Sequence, residues 1–269
     1  MAKELKFGPP GDEWTFDKES KVYDLTRGRA SPSLCLQSTH GLPGISFTLA
    51  PALSALVVVD MQNFFLHPRC YDHPSGLAAV DKTIDVVRKC REVGIKIIWL
   101  NWGLTEEDVV SMPAATQRSF SRNLITLSLD EKQRRDGFGS DMGDGRGRLL
   151  MAGSWNADIY DPLKEVSLPE SDIFCDKNRI SGLWNSETPL GKALAANRIR
   201  TLLFTGVNTD QCVLGTLSDA YYQGFDCIMV EDCCGTPTPG GQDVSIYNTS
   251  KLFGFVVDSK HFCESQVTL

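Results

Sequence analysis

Runs of consecutive apolar residues, each followed by a segment with helical spacing, constrain the fold of this chain more than any other feature. Residues 56–60 (LVVVD) form such a run and end on an acid. Residues 78–93 follow with apolar side chains on one helical face, and residues 95–100 (IKIIWL) form the next run. A continuous apolar run is typical of a parallel strand that is buried on both faces. The order strand, helix, strand predicts a βαβ unit.

The same alternation resumes near residue 172 and continues toward the end of the chain. It predicts further strands at 172–175, 199–205, 225–231 and 255–257, and helices at 189–197, 211–223 and 241–253. Repeated βα units with apolar strands favour one sheet with helices on both faces. The predicted fold class is therefore α/β, a three-layer αβα architecture of the Rossmann-like kind with a central, mainly parallel six-stranded sheet.

Two regions fall outside this alternation. Residues 1–50 are rich in Gly, Pro, Ser and charged residues, and we predict an irregular N-terminal arm that wraps on the body of the protein or on a neighbouring subunit. Trp14 and Phe16 argue against a disordered tail. Residues 51–269 are predicted to form one α/β domain. Within it, the stretch from about 101 to 168 is too long for a plain connection. We expect this stretch to be an insertion with short helices that closes over the functional site.

Composition argues against several classes of function. The chain has 269 residues and a net charge of −7, and it shows no basic stripe of the kind that binds nucleic acid. It has no apolar stretch of about 18 residues, so no membrane span is predicted. The nine cysteines are odd in number and show no paired spacing. We therefore expect reduced thiols and a cytoplasmic location.

Three residues whose side chains could take part in catalysis follow strands of the predicted sheet. Asp60 ends the first strand, Lys177 follows the strand at 172–175, and Cys212 follows the strand at 199–205. Ligands of such sheets bind at the carboxyl ends of the strands. Cys212 also lies in the first turn of a predicted helix, where backbone N–H groups lower a thiol pKa and can hold an oxyanion.

An Asp, a Lys and a Cys together form a workable hydrolytic set. The cysteine attacks a carbonyl, the charge of the lysine favours the thiolate, and the carboxylate moves protons. Each residue also has a purely structural interpretation. Asp60 could cap a turn, Lys177 could be solvated, and Cys212 could be a core cysteine, since free cysteines are among the most buried residues.

Three segments resemble the isochorismatase-like cysteine hydrolases: residues 56–63 (LVVVDMQN), 176–183 (DKNRISGL) and 205–213 (TGVNTDQCV). The resemblance extends over roughly residues 52–260, which include the whole predicted sheet. The resemblance implies that residues 51–269 are a hydrolase domain of this family.

The resemblance implies a catalytic triad of Asp60, Lys177 and Cys212. Cys212 is then the nucleophile. Asp60 accepts the thiol proton and later protonates the leaving amine, and Lys177 holds the charge. The resemblance also implies a cis peptide bond between Val207 and Asn208, and an oxyanion hole formed by the N–H groups of Asn208 and Cys212.

Within the family, the chain is most similar to the ureidoacrylate amidohydrolase branch. The similarity lies in residues 101–102 (NW), 153–156 (GSWN) and 252–258 (LFGFVVD). It implies hydrolysis of a carbon–nitrogen bond in a small ureido, carbamoyl or amide substrate through a thioester-type intermediate on Cys212. The alternatives are a biuret-type or other small-amide hydrolase, an isochorismatase-type hydrolase, and a non-catalytic effector or binding protein on the same fold.

Six further side chains are candidates for contact with the substrate. These candidates are Asn63, Asn101, Trp102, Glu106, Arg179 and Ile180. Ile180 stands where many relatives carry a tyrosine. The structural alternatives are a turn or loop cap for the asparagines, a core aromatic for Trp102, and solvated charges for Glu106 and Arg179.

No metal site and no cofactor are predicted. Nicotinamidases of the family bind a metal through an Asp-x-His…His motif after the second strand, whereas residues 101–107 (NWGLTEE) contain no histidine. The four histidines of the chain, at positions 40, 67, 73 and 261, are not spaced as a metal pair, so none is assigned a role. The expected partners are the small-molecule substrate and, by resemblance alone, further copies of the chain in a homo-oligomer (dimer or tetramer).

Overall fold

A parallel six-stranded sheet forms the centre of the protein. The structure, a computed structural model, describes residues 3–29, 32–121 and 137–268. The strands of this sheet are β6 (Ser54–Val59), β7 (Lys96–Trp102), β8 (Ile173–Lys177), β9 (Thr201–Val207), β10 (Asp226–Gly235) and β11 (Gly254–Val257). Their order across the sheet is β11-β10-β9-β6-β7-β8, and every neighbouring pair is parallel. The predicted α/β fold and its six strands are confirmed.

The position of each strand follows from its residues. Every residue of β6 and of β9 is buried, as expected for the continuous apolar runs, and these two strands lie side by side at the centre. From β6 the chain adds β7 and β8 on one side and returns to place β9, β10 and β11 on the other. The strand order therefore reverses between β6 and β9, and this switch point is where such sheets bind ligands.

Helices flank the central sheet. They are Asn63–Leu66, Pro74–Ala78, Val80–Val93, Glu106–Ser111, Ala114–Ser119, Asp161–Lys164, Pro189–Ala196, Leu214–Tyr222, Gly241–Asn248 and Ser259–Glu264. Single turns of other helix types occur at Pro51–Leu53, Trp155–Ala157, Thr209–Val213 and Thr249–Phe253, the last two with π-helical hydrogen bonding. The long helix Val80–Val93 ends at Gly94, whose φ of 84° is the left-handed conformation that glycine adopts at low cost. In the part of the chain that the structure describes, no helix is long and apolar enough to cross a membrane.

The N-terminal region is not irregular, which corrects the sequence-based prediction. Its strands are β1 (Glu4–Phe7), β2 (Trp14–Asp17), β3 (Val22–Asp24), β4 (Ser33–Gln37) and β5 (Ser46–Leu49), and they form a second sheet with β12 (Val267–Thr268) in the order β1-β2-β3-β5-β4-β12. These strands have only three to five residues. Those that bury side chains do so at alternate positions. They therefore lack the continuous apolar runs from which the central strands were predicted. The division of the chain at residue 50 stays a prediction.

A buried ion pair fastens the second sheet to the first. Asp226, the first residue of β10, is 2% exposed and pairs with Arg27. Its carboxylate also accepts hydrogen bonds from Trp14 Nε1 at 2.9 Å and from Thr201 Oγ1 at 2.7 Å. This network ties the N-terminal region to the amino ends of the central strands.

The predicted insertion at about 101–168 is partly described. It contains the helices Glu106–Ser111, Ala114–Ser119 and Asp161–Lys164, which agrees with the expected short helices. Residues 122–136 of this stretch lie outside the described residues. Its closure over the site stays a prediction.

Candidate active site

Asp60 occupies the turn that ends β6. Its φ of 52° places it in the left-handed region, which Asp tolerates better than most residues. Its N–H donates to Leu100 O at 2.8 Å, so the turn is held against β7. The residue is fully buried. The local backbone therefore places a carboxylate inside the protein at the carboxyl edge of the sheet.

Lys177 is the last residue of β8 and lies between the other two predicted catalytic residues. Its Nζ is 3.0 Å from Asp60 Oδ2 and 3.5 Å from Cys212 Sγ. The same Nζ donates to the carbonyl oxygens of Arg179 at 3.1 Å and Ile180 at 3.2 Å. Lys177 is 4% exposed. These contacts hold the buried Nζ in one position.

Cys212 lies in the π-helical turn Thr209–Val213, which follows β9 and leads into the helix Leu214–Tyr222. The peptide bond between Val207 and Asn208 is cis. The N–H groups of Gln211 and Val213 both donate to Asn208 O, at 3.0 and 3.2 Å. Asn208 therefore caps the N-terminus of this turn, where the first backbone N–H groups have no acceptor within the helix.

Burial controls the protonation of the two titrating groups. It raises the pKa of Cys212 to about 12, although the charge of Lys177 opposes this shift. Cys212 is thus a thiol near neutral pH, which corrects the expectation of a lowered pKa at a helix start. Burial also raises the pKa of Asp60, against the opposing effects of Lys177 and of the Cys212 thiol. A buried carboxylate with a raised pKa is a better proton acceptor than an ordinary aspartate.

Trp102 forms a wall of the site. Its ring lies against Lys177, with Nζ 3.9 Å from the ring centroid, and it contacts Phe120 and Phe138 at centroid distances of 5.3 and 5.0 Å. Its buried Nε1 has no hydrogen-bond partner among the described residues. The structure therefore brings Trp102 to the triad itself.

The two asparagine candidates lie at the same edge of the sheet. Asn63 is 1% exposed and donates from Nδ2 to Trp155 O at 2.9 Å, while its Oδ1 has no partner in the described ranges. Asn101 Oδ1 is also buried without a partner there. Asn101 precedes Trp102 on β7, so its side chain leaves the opposite face of the sheet.

The remaining candidates are placed differently from the triad. Glu106 is exposed and forms an ion pair with Arg148 at the surface. The Arg179 guanidinium lies over the ring of Trp184 at 5.2 Å, and Ile180 packs beside Gly215. The contact of Arg179 and Ile180 with the triad is made by their carbonyl oxygens, which hold Lys177.

Sequence reasoning missed two residues that support the site. Gln62 is fully buried; it accepts from Trp102 N at 3.0 Å and donates to Trp102 O at 2.7 Å. It thereby fixes the strand end that carries Trp102. His73 is also fully buried, and its Nε2 is 2.7 Å from Asn208 Oδ1. Position 62 lies inside a motif already noted, whereas nothing in the sequence around position 73 signals a role.

A buried Asp, Lys and Cys thus meet at the switch point of the parallel sheet, in a chain whose relatives are hydrolases. The chain belongs to the isochorismatase family, because residues 54–261 match the model of the isochorismatase domain. Among curated relatives, it is 32% identical to the ureidoacrylate amidohydrolase RutB of Klebsiella variicola over 228 residues, which cover 82% of this chain and 89% of that protein.

Solved structures share the fold. A cysteine hydrolase from Pseudomonas syringae pv. phaseolicola aligns with a TM-score of 0.63 at 18% identity, covering 87% of this chain and 97% of that one. N-carbamoylsarcosine amidase from Thermoplasma acidophilum aligns with a TM-score of 0.55 at 24% identity, covering 77% of this chain and 96% of that one. At these identities the likeness concerns the fold alone.

Proposed function

We propose that this protein is a metal-independent cysteine amidohydrolase that cleaves a carbon–nitrogen bond of a small ureido or carbamoyl compound similar to ureidoacrylate. The observation that carries the proposal is the position of Lys177 Nζ, within 3.0 Å of Asp60 Oδ2 and 3.5 Å of Cys212 Sγ. One fixed charge thus faces both the proton acceptor and the nucleophile. The names of the relatives, at 32% identity for the curated one, support the same substrate class.

In the first half of the reaction, Cys212 Sγ attacks the carbonyl carbon and its proton passes to Asp60. Transfer is needed because the buried thiol, with a pKa of about 12, does not ionise by itself near neutral pH. The carbonyl oxygen becomes an oxyanion that the N–H groups of Asn208 and Cys212 bind. The carbon–nitrogen bond then breaks, and Asp60 returns the proton to the leaving amine.

The second half of the reaction releases the enzyme. The product of the first half is a thioester in which Cys212 carries the carbamoyl group. Asp60 takes a proton from a water molecule, whose oxygen attacks the thioester carbonyl, and the carbon–sulfur bond breaks with return of that proton to the sulfur. Carbamate leaves and decomposes to ammonia and carbon dioxide. Lys177 compensates the negative charge throughout, because it stays paired with Asp60.

The unpartnered polar atoms favour a polar, neutral reacting group. Trp102 Nε1 and Asn63 Oδ1 are buried without partners among the described residues, and such atoms are costly unless a ligand or water satisfies them. A ureido group supplies N–H donors and a carbonyl acceptor together. We assign substrate contacts to Asn63 and Trp102. We assign none to Asn101, whose side chain leaves the opposite face of β7, and none to Glu106, which is engaged with Arg148.

Ammonia release from a small panel tests the proposal. The panel contains ureidoacrylate, biuret, nicotinamide and simple carbamoyl acids, and each is offered to wild type, Cys212→Ala and Cys35→Ala. Cys35 is an exposed cysteine on β4, so its variant controls for the loss of a thiol. We expect release from a ureido compound by wild type and by Cys35→Ala, and none by Cys212→Ala.

Two outcomes contradict the proposal. Release that survives in Cys212→Ala removes this residue as the nucleophile. A wild type that releases ammonia from no ureido or carbamoyl compound removes the substrate class, and intact binding without turnover favours the effector alternative. Mass spectrometry of the stopped reaction provides the direct check, because a carbamoyl group on Cys212 is the intermediate that the mechanism requires.

The location and the assembly complete the proposal. All nine cysteines are free, which supports a reducing compartment such as the cytoplasm. Exposed aromatic and aliphatic side chains on neighbouring C-terminal helices support a homo-oligomer; they include Tyr222, Tyr247 and Leu252. Size-exclusion chromatography with light scattering measures the assembly directly, and a monomer would contradict it.

A further inference from the structure

His73 is a buried histidine outside the proposed triad whose two ring nitrogens are both engaged. It lies in the loop between the helices Asn63–Leu66 and Pro74–Ala78, and none of its surface is exposed. Its Nδ1 accepts a hydrogen bond from Gly76 N at 2.9 Å. Its Nε2 lies 2.7 Å from Asn208 Oδ1. The side chain therefore bridges a short helix and Asn208, the residue that caps the turn carrying Cys212.

The hydrogen bonds assign the tautomer of this imidazole. A backbone N–H is always a donor, so the Nδ1 that receives the Gly76 N–H carries no proton. A neutral imidazole then has its proton on Nε2, which donates to the Asn208 side-chain oxygen. The other end of the Asn208 amide faces Gln211, with Nδ2 3.5 Å from Oε1. The amide of Asn208 is thus held from both ends in one orientation.

Close packing seats His73 in this position. A side chain at Gly76 would meet His73 Nδ1 and Leu66 at 2.8 Å, and one at Gly235 would meet Gly76 N at 2.7 Å. The loop therefore presses against the end of β10. Gly235 is in register with Val207, the residue before Asn208. The contacts close a ring that runs from β9 through β10 and the loop back to Asn208.

We propose that His73 is a positioning residue that fixes Asn208 as an oxyanion donor. This inference rests on the proposed function, in which the Asn208 N–H binds the developing oxyanion. A donor stabilises a transition state only if it already points at the oxyanion, and removing one such donor costs about 10²- to 10³-fold in kcat. His73 supplies that orientation through the side chain, without contacting the substrate.

Two substitutions separate the two hydrogen bonds of His73. His73→Asn keeps an acceptor near Nδ1 for the Gly76 N–H, so the helix Pro74–Ala78 stays capped, but it loses the donor to Asn208. His73→Gln places an amide N–H near the former Nε2 and keeps that donor. His261→Asn is the control, because His261 is an exposed histidine on the helix Ser259–Glu264.

We expect His73→Asn to lower kcat roughly tenfold with KM unchanged. The reason is that the hydrogen bond from the Asn208 N–H to the substrate stabilises the oxyanion, which is absent until the reaction begins. His73→Gln should recover most of the lost kcat, and His261→Asn should equal wild type. In the Asn208→Ala background, His73→Asn should cause no further loss, since both changes remove one coupled element. Melting temperatures of all variants show that each enzyme is folded.

Three results overturn the inference. They are an unchanged kcat in a folded His73→Asn enzyme, a loss that His73→Gln does not rescue, and a loss of equal size in the Asn208→Ala background. These results leave the proposed function intact if wild type is active. A wild type inactive on every ureido and carbamoyl compound overturns the proposed function instead, and the catalytic role of His73 with it. Nitrogen-15 NMR of the ring still tests the contact in that case, because the hydrogen bond from His73 to Asn208 requires a protonated Nε2.

Discussion

A buried ion pair lies at each edge of the central sheet, and the two differ in how completely their surroundings satisfy them. At the amino edge, Asp226 accepts hydrogen bonds from Arg27, Trp14 and Thr201. At the carboxyl edge, Asp60 pairs with Lys177, while the neighbouring Trp102 Nε1 has no partner within the described part of the chain. Complete networks hold parts together, and incomplete ones leave polar atoms for a ligand. The difference separates the structural end of the sheet from the reactive end.

The same substitution at both edges tests this contrast, and the largest effect is expected at the carboxyl edge. Asp60→Asn keeps the shape of the side chain but removes the proton acceptor for the Cys212 thiol. We expect kcat/KM to fall by at least about 10³-fold. The free energy of unfolding should fall less than in the matched Asp226 variant, because burial already disfavours the charge of Asp60. Steady-state kinetics and urea unfolding measure the two quantities.

Asp226→Asn should show the reverse pattern. It removes the buried carboxylate partner of Arg27 and leaves the more exposed Asp12, and breaking a buried ion pair costs about 3–5 kcal/mol. Activity per folded molecule should equal that of wild type, since Asp226 lies at the opposite edge from Cys212. Urea unfolding measures the stability. A loss below about 1 kcal/mol, or a loss of kcat in folded enzyme, would show that the two edges are not divided in this way.

The pH profile sharpens the contrast from the reactive side. Asp60 must be ionised to accept the thiol proton, and its pKa is raised above the ordinary value of 3.8. We expect kcat/KM to be constant above this raised pKa and to fall about tenfold for each pH unit below it. Rates measured across the acid range, with circular dichroism to confirm folding, locate the midpoint. A midpoint at or below 3.8 would contradict the raised pKa of Asp60.

The smallest effect is expected from a matched pair of tryptophans on β7. Trp102→Phe keeps a ring beside Lys177 but removes the unpartnered N–H, and we expect kcat to fall about fivefold. Trp99 Nε1 instead donates to Asp172 at 2.8 Å, so Trp99→Phe should lower the unfolding free energy and leave kcat unchanged. The same kinetic and urea measurements apply. Equal effects in the two variants would remove the distinction between satisfied and unsatisfied donors.

Much of the fold could be predicted because the central strands are buried on both faces. Apolar runs lie within β6 and β9, at residues 55–59 and 202–204. The polar residues that follow these runs include Asp60 and Cys212, which were located without knowledge of the contacts between them. The N-terminal sheet could not be predicted in this way. Its strands are short, and one partner, β12, lies near the other end of the chain.

The electrostatics of the site also needed the structure. The position of Cys212 at a helix start suggested a lowered pKa, but burial outweighs the helix and raises the pKa to about 12. Glu106 was a candidate for substrate contact, but in the structure its carboxylate forms an ion pair with Arg148 at the surface. His73 lacks any sequence signal, because its contact joins residues 135 positions apart. Sequence patterns report local burial, whereas these outcomes depend on long-range neighbours.

The pairing of β12 with β4 has a consequence for the order in which the protein is made. Val267 lies in register with Leu34, so this edge of β4 stays unpaired until residues 267–268 have been synthesised. Exposed strand edges invite pairing with other chains, and nascent chains carry this hazard while they are incomplete. We expect a chain truncated after residue 264 to aggregate more readily during translation than the full-length chain, which a pelleting assay in cell-free synthesis measures. The two residues of β12 would then protect the growing chain, because their pairing with β4 covers the edge that other chains could bind.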